Sequence, residues 1–209
     1  MGMLIWRICK AIMRRTGIHC WRICLRTIPD KIETPQLPTH LEFEVLDQQK
    51  MRQLAANHPG VSESFVDAAI ERGDTCLVIC EVDSEGGQWF ERILGYSWRT
   101  QDVVEFMPNF WVRLVRPKTF FGFKSWVDPT VRGLRLFQKM RQYQDHGYSA
   151  MGILQGIAYV SVSNNSSWAS MQRDPNYRQL GFLVHANWGQ LAWTFTTAEA
   201  RQWIAIDTK

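Results

Sequence analysis

The sequence predicts a mixed α/β fold, with a partly parallel central sheet flanked by helices and preceded by a basic amphipathic segment. Three observations carry this. Strand-like and helix-like periods alternate in the order β-α-α-β-β-β-α-β-α-β-β. In the second half, strands are followed by crossover helices, which return the chain in the same direction and so imply at least one parallel pair. Finally, 209 residues at 45% hydrophobic and 12% aromatic can bury one substantial core, which excludes fibrous and disordered classes.

The leader, residues 1–28, holds six of the 24 basic residues and none of the 20 acids, leaving the rest of the chain near −2. Leu4, Ile5, Ile8 and Ile12 fall at helical spacing, with Arg7, Lys10, Arg14 and Arg15 on other faces. After Gly17 the pattern resumes with Trp21, Ile23 and Leu25 among Arg22 and Arg26. Charges every few residues exclude a membrane span, and no uninterrupted apolar centre marks a secretory signal. Three readings stay open: an amphipathic helix lying on an anionic membrane surface, a helix packed on the domain, and a cleaved organellar targeting peptide, although the segment lacks Ser. Nucleic acid is not an expected partner, because the interleaved Ile and Trp favour lipid over phosphates. The five cysteines form no zinc spacing and no even disulfide set, which suits a reduced, cytoplasmic setting, peripheral to the inner face of a membrane if the leader docks.

Residues 29–39 are a linker rich in proline, and the folded domain is expected over 40–209. LEFEVL (41–46) alternates and reads as a strand. Two helices are expected between Gln48 and Arg72, broken at NHPG (57–60), the second starting at Ser62. TCLVICEVD (75–83) and WFERILGYSWRT (89–100) are strands around the hairpin signal SEGG. Pro108 and Pro117 interrupt 101–118, which is expected to form a long loop or an edge excursion. A strand at 120–127, a helix over 131–146, a strand at 152–162 and a helical stretch over 166–180 follow. FLVHA and LAWTFTT form a last hairpin, and AEARQW a short helix.

Two motifs stand out. SWVDPTVRGLRLF (125–137) carries a strand into a helix through V-x-P and an R-G pair, where a helix N-terminus offers unsatisfied N–H groups and a favourable dipole to a phosphate. YRQLGF (177–182) sets a Tyr ahead of a Gly-Phe pair that opens a strand, preceded by the Asn/Ser cluster SNNSSWAS (163–170). In motifs and element order, residues 40–197 resemble the GNAT superfamily of N-acyltransferases. The resemblance implies a GNAT-like sheet and an acyltransferase moving an acetyl or longer acyl group from acyl-CoA or acyl carrier protein to an amine acceptor. No permanently bound cofactor or metal is implied.

The resemblance also implies the site. Arg132, Gly133, Leu134, Arg135, Leu136 and Phe137 would form the phosphate turn, but Arg135 and Phe137 stand where the family has Gly or Ala. Three outcomes follow: a modified site that still accepts acyl-CoA, one adapted to the single phosphate of a carrier protein, or a degenerate, inactive binding or regulatory module. Backbone N–H groups near Trp126 and Val127 would polarise the thioester carbonyl. Tyr177 would protonate the leaving sulfur, as a phenol of pKa about 10 can at pH 7. Glu105 is a candidate general base on the acceptor side. Asn165 would bond the pantetheine amides or cap the following helix, with Ser166 and Ser167 as the alternative caps. Asp128 is read as bonding its own turn, and His146 and His185 as structural. Phe106, Phe110, Trp111, Phe121 and Phe123 either pack the core or line a cavity for a hydrophobic substrate.

Overall fold

The computed structural model describes residues 17–58, 60–82, 93–131, 133–188 and 191–207. Eleven strands and five α-helices are found among them, in chain order β1 (Ile18–Thr27), β2 (Leu41–Val45), α1 (Gln48–Asn57), α2 (Glu63–Arg72), β3 (Thr75–Glu81), β4 (Ile93–Thr100), β5 (Val103–Met107), β6 (Phe110–Leu114), β7 (Thr119–Val127), α3 (Leu136–Ala150), β8 (Gln155–Ser161), α4 (Asn165–Gln172), β9 (Tyr177–Trp188), β10 (Leu191–Thr196), α5 (Ala198–Arg201) and β11 (Ile204–Asp207).

Eight strands form the main sheet in the order β10-β9-β1-β8-β7-β4-β3-β2, while β11-β6-β5 make a smaller sheet. Among the described strands only β7 and β8 run parallel, joined by the crossover through α3. On one face, α1, α2 and the small sheet cover a core that contains Leu54, Val66, Trp98, Val112 and Phe121. On the other, α3 places Leu136 and Met140 on Leu77 and Ile79, and α4 places Met171 on Cys24, Ala158 and Val160. The helix expected from Ser62 begins at Glu63, and Ser62 caps it, accepting a hydrogen bond from the Phe65 N–H at 3.3 Å.

Several expectations are corrected. Within the leader, residues 18–27 are not an amphipathic helix: β1 pairs antiparallel with both β8 and β9. Its Trp21, Ile23 and Leu25 point into the core at the strand period of two, and Arg26 is buried because carboxylates meet it. Residues 1–16 lie outside the described residues, as do the SEGG signal and Arg132. Residues 101–118 form the β5-β6 hairpin rather than a loop, with Pro108 in its turn, where the missing N–H costs no ladder bond. The helix expected from 131 starts at Leu136, after a 3₁₀ turn at Pro129–Val131. The stretch expected to be helical to 180 is helical only to Gln172, and Tyr177 opens β9.

No helix among the described residues is long and apolar enough to cross a membrane.

Candidate functional site

Strands β7 and β8 pair from Thr119↔Gln155 to Gly122↔Ala158 and no further, although β7 continues to Val127 and β8 to Ser161. A bulge accompanies the divergence. Between the pairs Tyr96↔Trp126 and Trp98↔Phe123, Ser97 alone faces both Lys124 and Ser125, and Lys124 has φ 43°. A bulge bends its strand and raises the local twist. The Ser97 and Ser125 hydroxyls lie 3.1 Å apart across it.

A cleft of about 310 Å³ fills the parting. Its lining includes Trp21, Phe123, Lys124 and Tyr159, together with Arg99 of β4 and Arg141 and Gln144 of α3. Asn164, Ser167 and Tyr177 form its α4 side. A second cavity of about 700 Å³ adjoins it between α3 and α4, sharing Arg26, Phe137 and Arg141 and adding Lys31, Arg135 and Arg173.

Of the residues expected in the phosphate turn, Arg135 and Phe137 line this outer cavity. Gly133 adopts φ 112° and Arg135 φ 54°, a left-handed conformation unusual for a residue with a side chain. Arg135 is the N-cap of α3 and makes no side-chain cap bond, so the first-turn N–H groups of the helix have no cap from it. Phe137 lies between the two cavities with the Arg141 guanidinium 5.2 Å from its ring centre. Leu134 is exposed, while Leu136 is buried in the α3 core and turned away from both cavities' walls. Asp128 bonds its own turn, accepting from the Thr130 N–H at 2.7 Å, as expected.

The other expected residues divide. Tyr177 faces the cleft, its ring centre 5.0 Å from the guanidinium carbons of both Arg26 and Arg141. Trp126 and Val127 do not line the cleft; Gly122–Ser125 do, and Trp126 instead packs edge-on to His58 and against Tyr96. Asn165 is exposed and outside the cleft, and Asn164 is the cap of α4, its Oδ1 accepting from the Ser167 N–H at 3.1 Å. Glu105 is exposed on β5 and accepts from the Asn109 N–H at 2.9 Å, yet it lies close enough to act electrostatically on Lys124 and Tyr159. Among the aromatics, Phe106 stacks on Tyr159 and meets Trp21 edge-on, and Phe123 reaches the cleft. His185 is stacked on Phe110 and bonded to Thr194 Oγ1 at 2.9 Å.

Sequence reasoning missed the buried charges beneath the cleft. Arg26 Nε donates to Asp145 Oδ2 at 2.9 Å, Arg99 Nη2 to Asp145 Oδ1 at 2.7 Å, and Arg26 and Arg141 both bond Asp174 Oδ2, at 2.8 and 2.7 Å. Burial pushes the Arg99 pKa down, with Asp145 pulling the other way. For Asp174 burial favours the neutral form, but Arg141, the Asn176 N–H and Arg26 outweigh it and hold the carboxyl below its usual range.

No protein-family model matches the chain, and no curated protein matches its sequence. Solved structures do match its fold. A GCN5-related N-acetyltransferase from Sphaerobacter thermophilus aligns with a TM-score of 0.54 at 12% identity, over 84% of this chain and 54% of its own. A GNAT-family acetyltransferase from Colwellia psychrerythraea aligns at 0.50 and 10% identity, over 90% and 61%. A Drosophila protein aligns at 0.54 and 15%, over 97% and 57%. The chain thus spans little more than half the length of these proteins, and its fold is the GNAT fold.

Proposed function

We propose that this chain, from the fold it shares with GCN5-related N-acetyltransferases, transfers an acyl group from a CoA thioester to an amine. One observation carries the reading: two parallel strands part beside a bulge, and the cleft between them adjoins a basic cavity at a helix N-terminus that lacks a side-chain cap. The cleft accepts an extended arm such as pantetheine. Arg135, Arg173 and Lys31, against the one further carboxylate of Glu33, leave the outer cavity more positive charge than a single phosphodiester needs, which favours CoA over a carrier protein as donor.

In this reading the amine nitrogen attacks the thioester carbonyl carbon, and backbone N–H groups at the bulged segment 123–125 stabilise the oxyanion. As the C–S bond breaks, Tyr177 gives its phenolic proton to the thiolate. The proton released from the new amide nitrogen leaves to water on the acceptor side, where Glu105 acts on Lys124 and Tyr159.

Thiol release from acetyl-CoA and longer acyl-CoA, measured over an amine panel and repeated with acyl carrier protein, tests the proposal. Turnover with a CoA thioester is expected. Turnover with carrier protein alone reassigns the donor, thioester binding without release on any amine leaves an inactive binding module, and no binding of any thioester overturns the reading.

A further inference from the structure

Five charged side chains meet beneath the cleft, and they do not cancel. Arg26, Arg99 and Arg141 bring three positive charges, and Asp145 and Asp174 two negative ones. The arginine side chains are only 4, 2 and 6% exposed. Asp145 is shared by Arg26 and Arg99, and Asp174 by Arg26 and Arg141, so every carboxylate of the cluster is engaged. Among the described residues, Arg99 Nη1 and Arg141 Nε and Nη1 still have no hydrogen-bond partner. Aromatic rings face both guanidinia, Phe120 and Tyr148 at Arg99 and Phe137 and Tyr177 at Arg141, but they take up none of these hydrogen bonds, and a buried surplus charge with unpaired N–H groups is costly.

Both arginines stand in the wall of the cleft. Gly122, the β7 partner of Arg99, borders the same space, and a Cβ there would meet nothing closer than 4.0 Å. We infer that the floor of the cleft receives a carboxylate carried by a substrate of the acyl transfer, held by Arg99 and Arg141. This rests on the acyl-transfer reading above. A carboxylate matches the surplus of one charge, whereas the diphosphate of CoA brings two and has Arg135, Arg173 and Lys31 available in the outer cavity. Gln144 Oε1, also unpartnered in this wall, accepts a hydrogen bond from an N–H or O–H of the same substrate. The carboxylate has two sources: the far end of a dicarboxylic acyl group on the donor, or the α-carboxylate of an amino-acid acceptor.

Equilibrium binding of succinyl-CoA and of butyryl-CoA, its neutral counterpart of equal chain length, to the full chain distinguishes them. If the donor carries the carboxylate, succinyl-CoA binds at least about tenfold tighter, and Arg141→Gln and Gly122→Ala both erase the preference. Gly122→Ala removes no ion pair, so it carries the comparison should Arg141→Gln fail to fold. If the two thioesters bind alike, the KM for amino acids against their amides is measured, and an Arg141-dependent preference of similar size assigns the carboxylate to the acceptor. No preference in either pair overturns the inference. If no thioester binds, the acyl-transfer reading falls, and titration with free succinate decides the site separately: binding lost in Arg141→Gln supports it, and no binding removes it.

Discussion

Arg26 of β1 and Asp145 of α3 are joined across 119 residues by an Nε to Oδ2 hydrogen bond of 2.9 Å, with side-chain exposures of 4 and 1%. The pair ties an N-terminal interior strand to the helix beside the cleft. Removing one partner of a buried pair costs about 3–5 kcal/mol, because the other charge stays buried. Arg26→Met should lose that amount in urea denaturation, and deleting residues 1–28 should abolish cooperative unfolding. A truncated chain that melts like the full one would show that β1 is not part of the folding unit.

That strand shows where the sequence was legible and where it was not. From Leu41 to Thr196 most strands announce themselves by alternation, and helices α1 and α2 by the NHPG break between them. β1 alternates as well, through Trp21, Ile23 and Leu25, but Arg22 and Arg26 read as solvent-facing charges. Only Asp145 and Asp174, far along the chain, make Arg26 an interior residue. The cleft was hidden in the same way. The turn that leads β7 into α3 is local and could be read from 125–137, whereas the bulge at Lys124 depends on pairing with Ser97, and the arginine cluster gathers residues from β1, β4 and α3.

Gly156 tests the packing that supports the parting strands. A Cβ at this position would come within 2.2 Å of Phe120 Cζ. Gly156→Ala should destabilise the fold by about 1–3 kcal/mol, the usual range for overpacking. Phe120→Leu should recover part of this in the double variant, and a coupling of at least about 0.5 kcal/mol in a double-mutant cycle is expected. Additive losses would mean that the ring moves aside freely.

Arg135 should show opposite effects on stability and on donor binding. Its left-handed φ of 54° carries a penalty of roughly 1–2 kcal/mol that glycine avoids, partly offset by the unfolded-state entropy of glycine. Arg135→Gly should therefore raise stability by up to about 1 kcal/mol. It should also weaken CoA binding, more at low salt than at high, because a phosphate contact is lost. Tighter CoA binding in this variant would show that the side chain only obstructs.

Acid should weaken the fold in two stages. Burial lowers the pKa of His58, and burial followed by nearby His19 lowers that of His185. The Gly60 N–H donates to His58 Nδ1 at 3.2 Å, a bond that the protonated ring cannot accept. Folded pKa values below the unfolded value of about 6.5 give stability that is complete above that pH and lost as pH falls through the folded values. Asp174, also depressed, adds a loss at lower pH, below the unfolded carboxyl value. Unfolding free energy measured against pH should decline from about pH 6.5 downward, and His58→Gln should flatten the first stage. An unchanged slope in that variant would assign the stage to other groups.

Tyr177→Phe separates chemistry from architecture. The guanidinia of Arg26 and Arg141 each lie 5.0 Å from the ring centre, and phenylalanine keeps that packing while removing the hydroxyl. Stability and donor affinity should change little. The acyl-transfer rate should fall by about 10²-fold or more, the scale of a lost general acid, and the loss should shrink with donors whose thiol leaves readily without a proton. Undiminished turnover, with donor binding intact, would take the acid role from Tyr177 and leave it as the wall against which the two arginines are held.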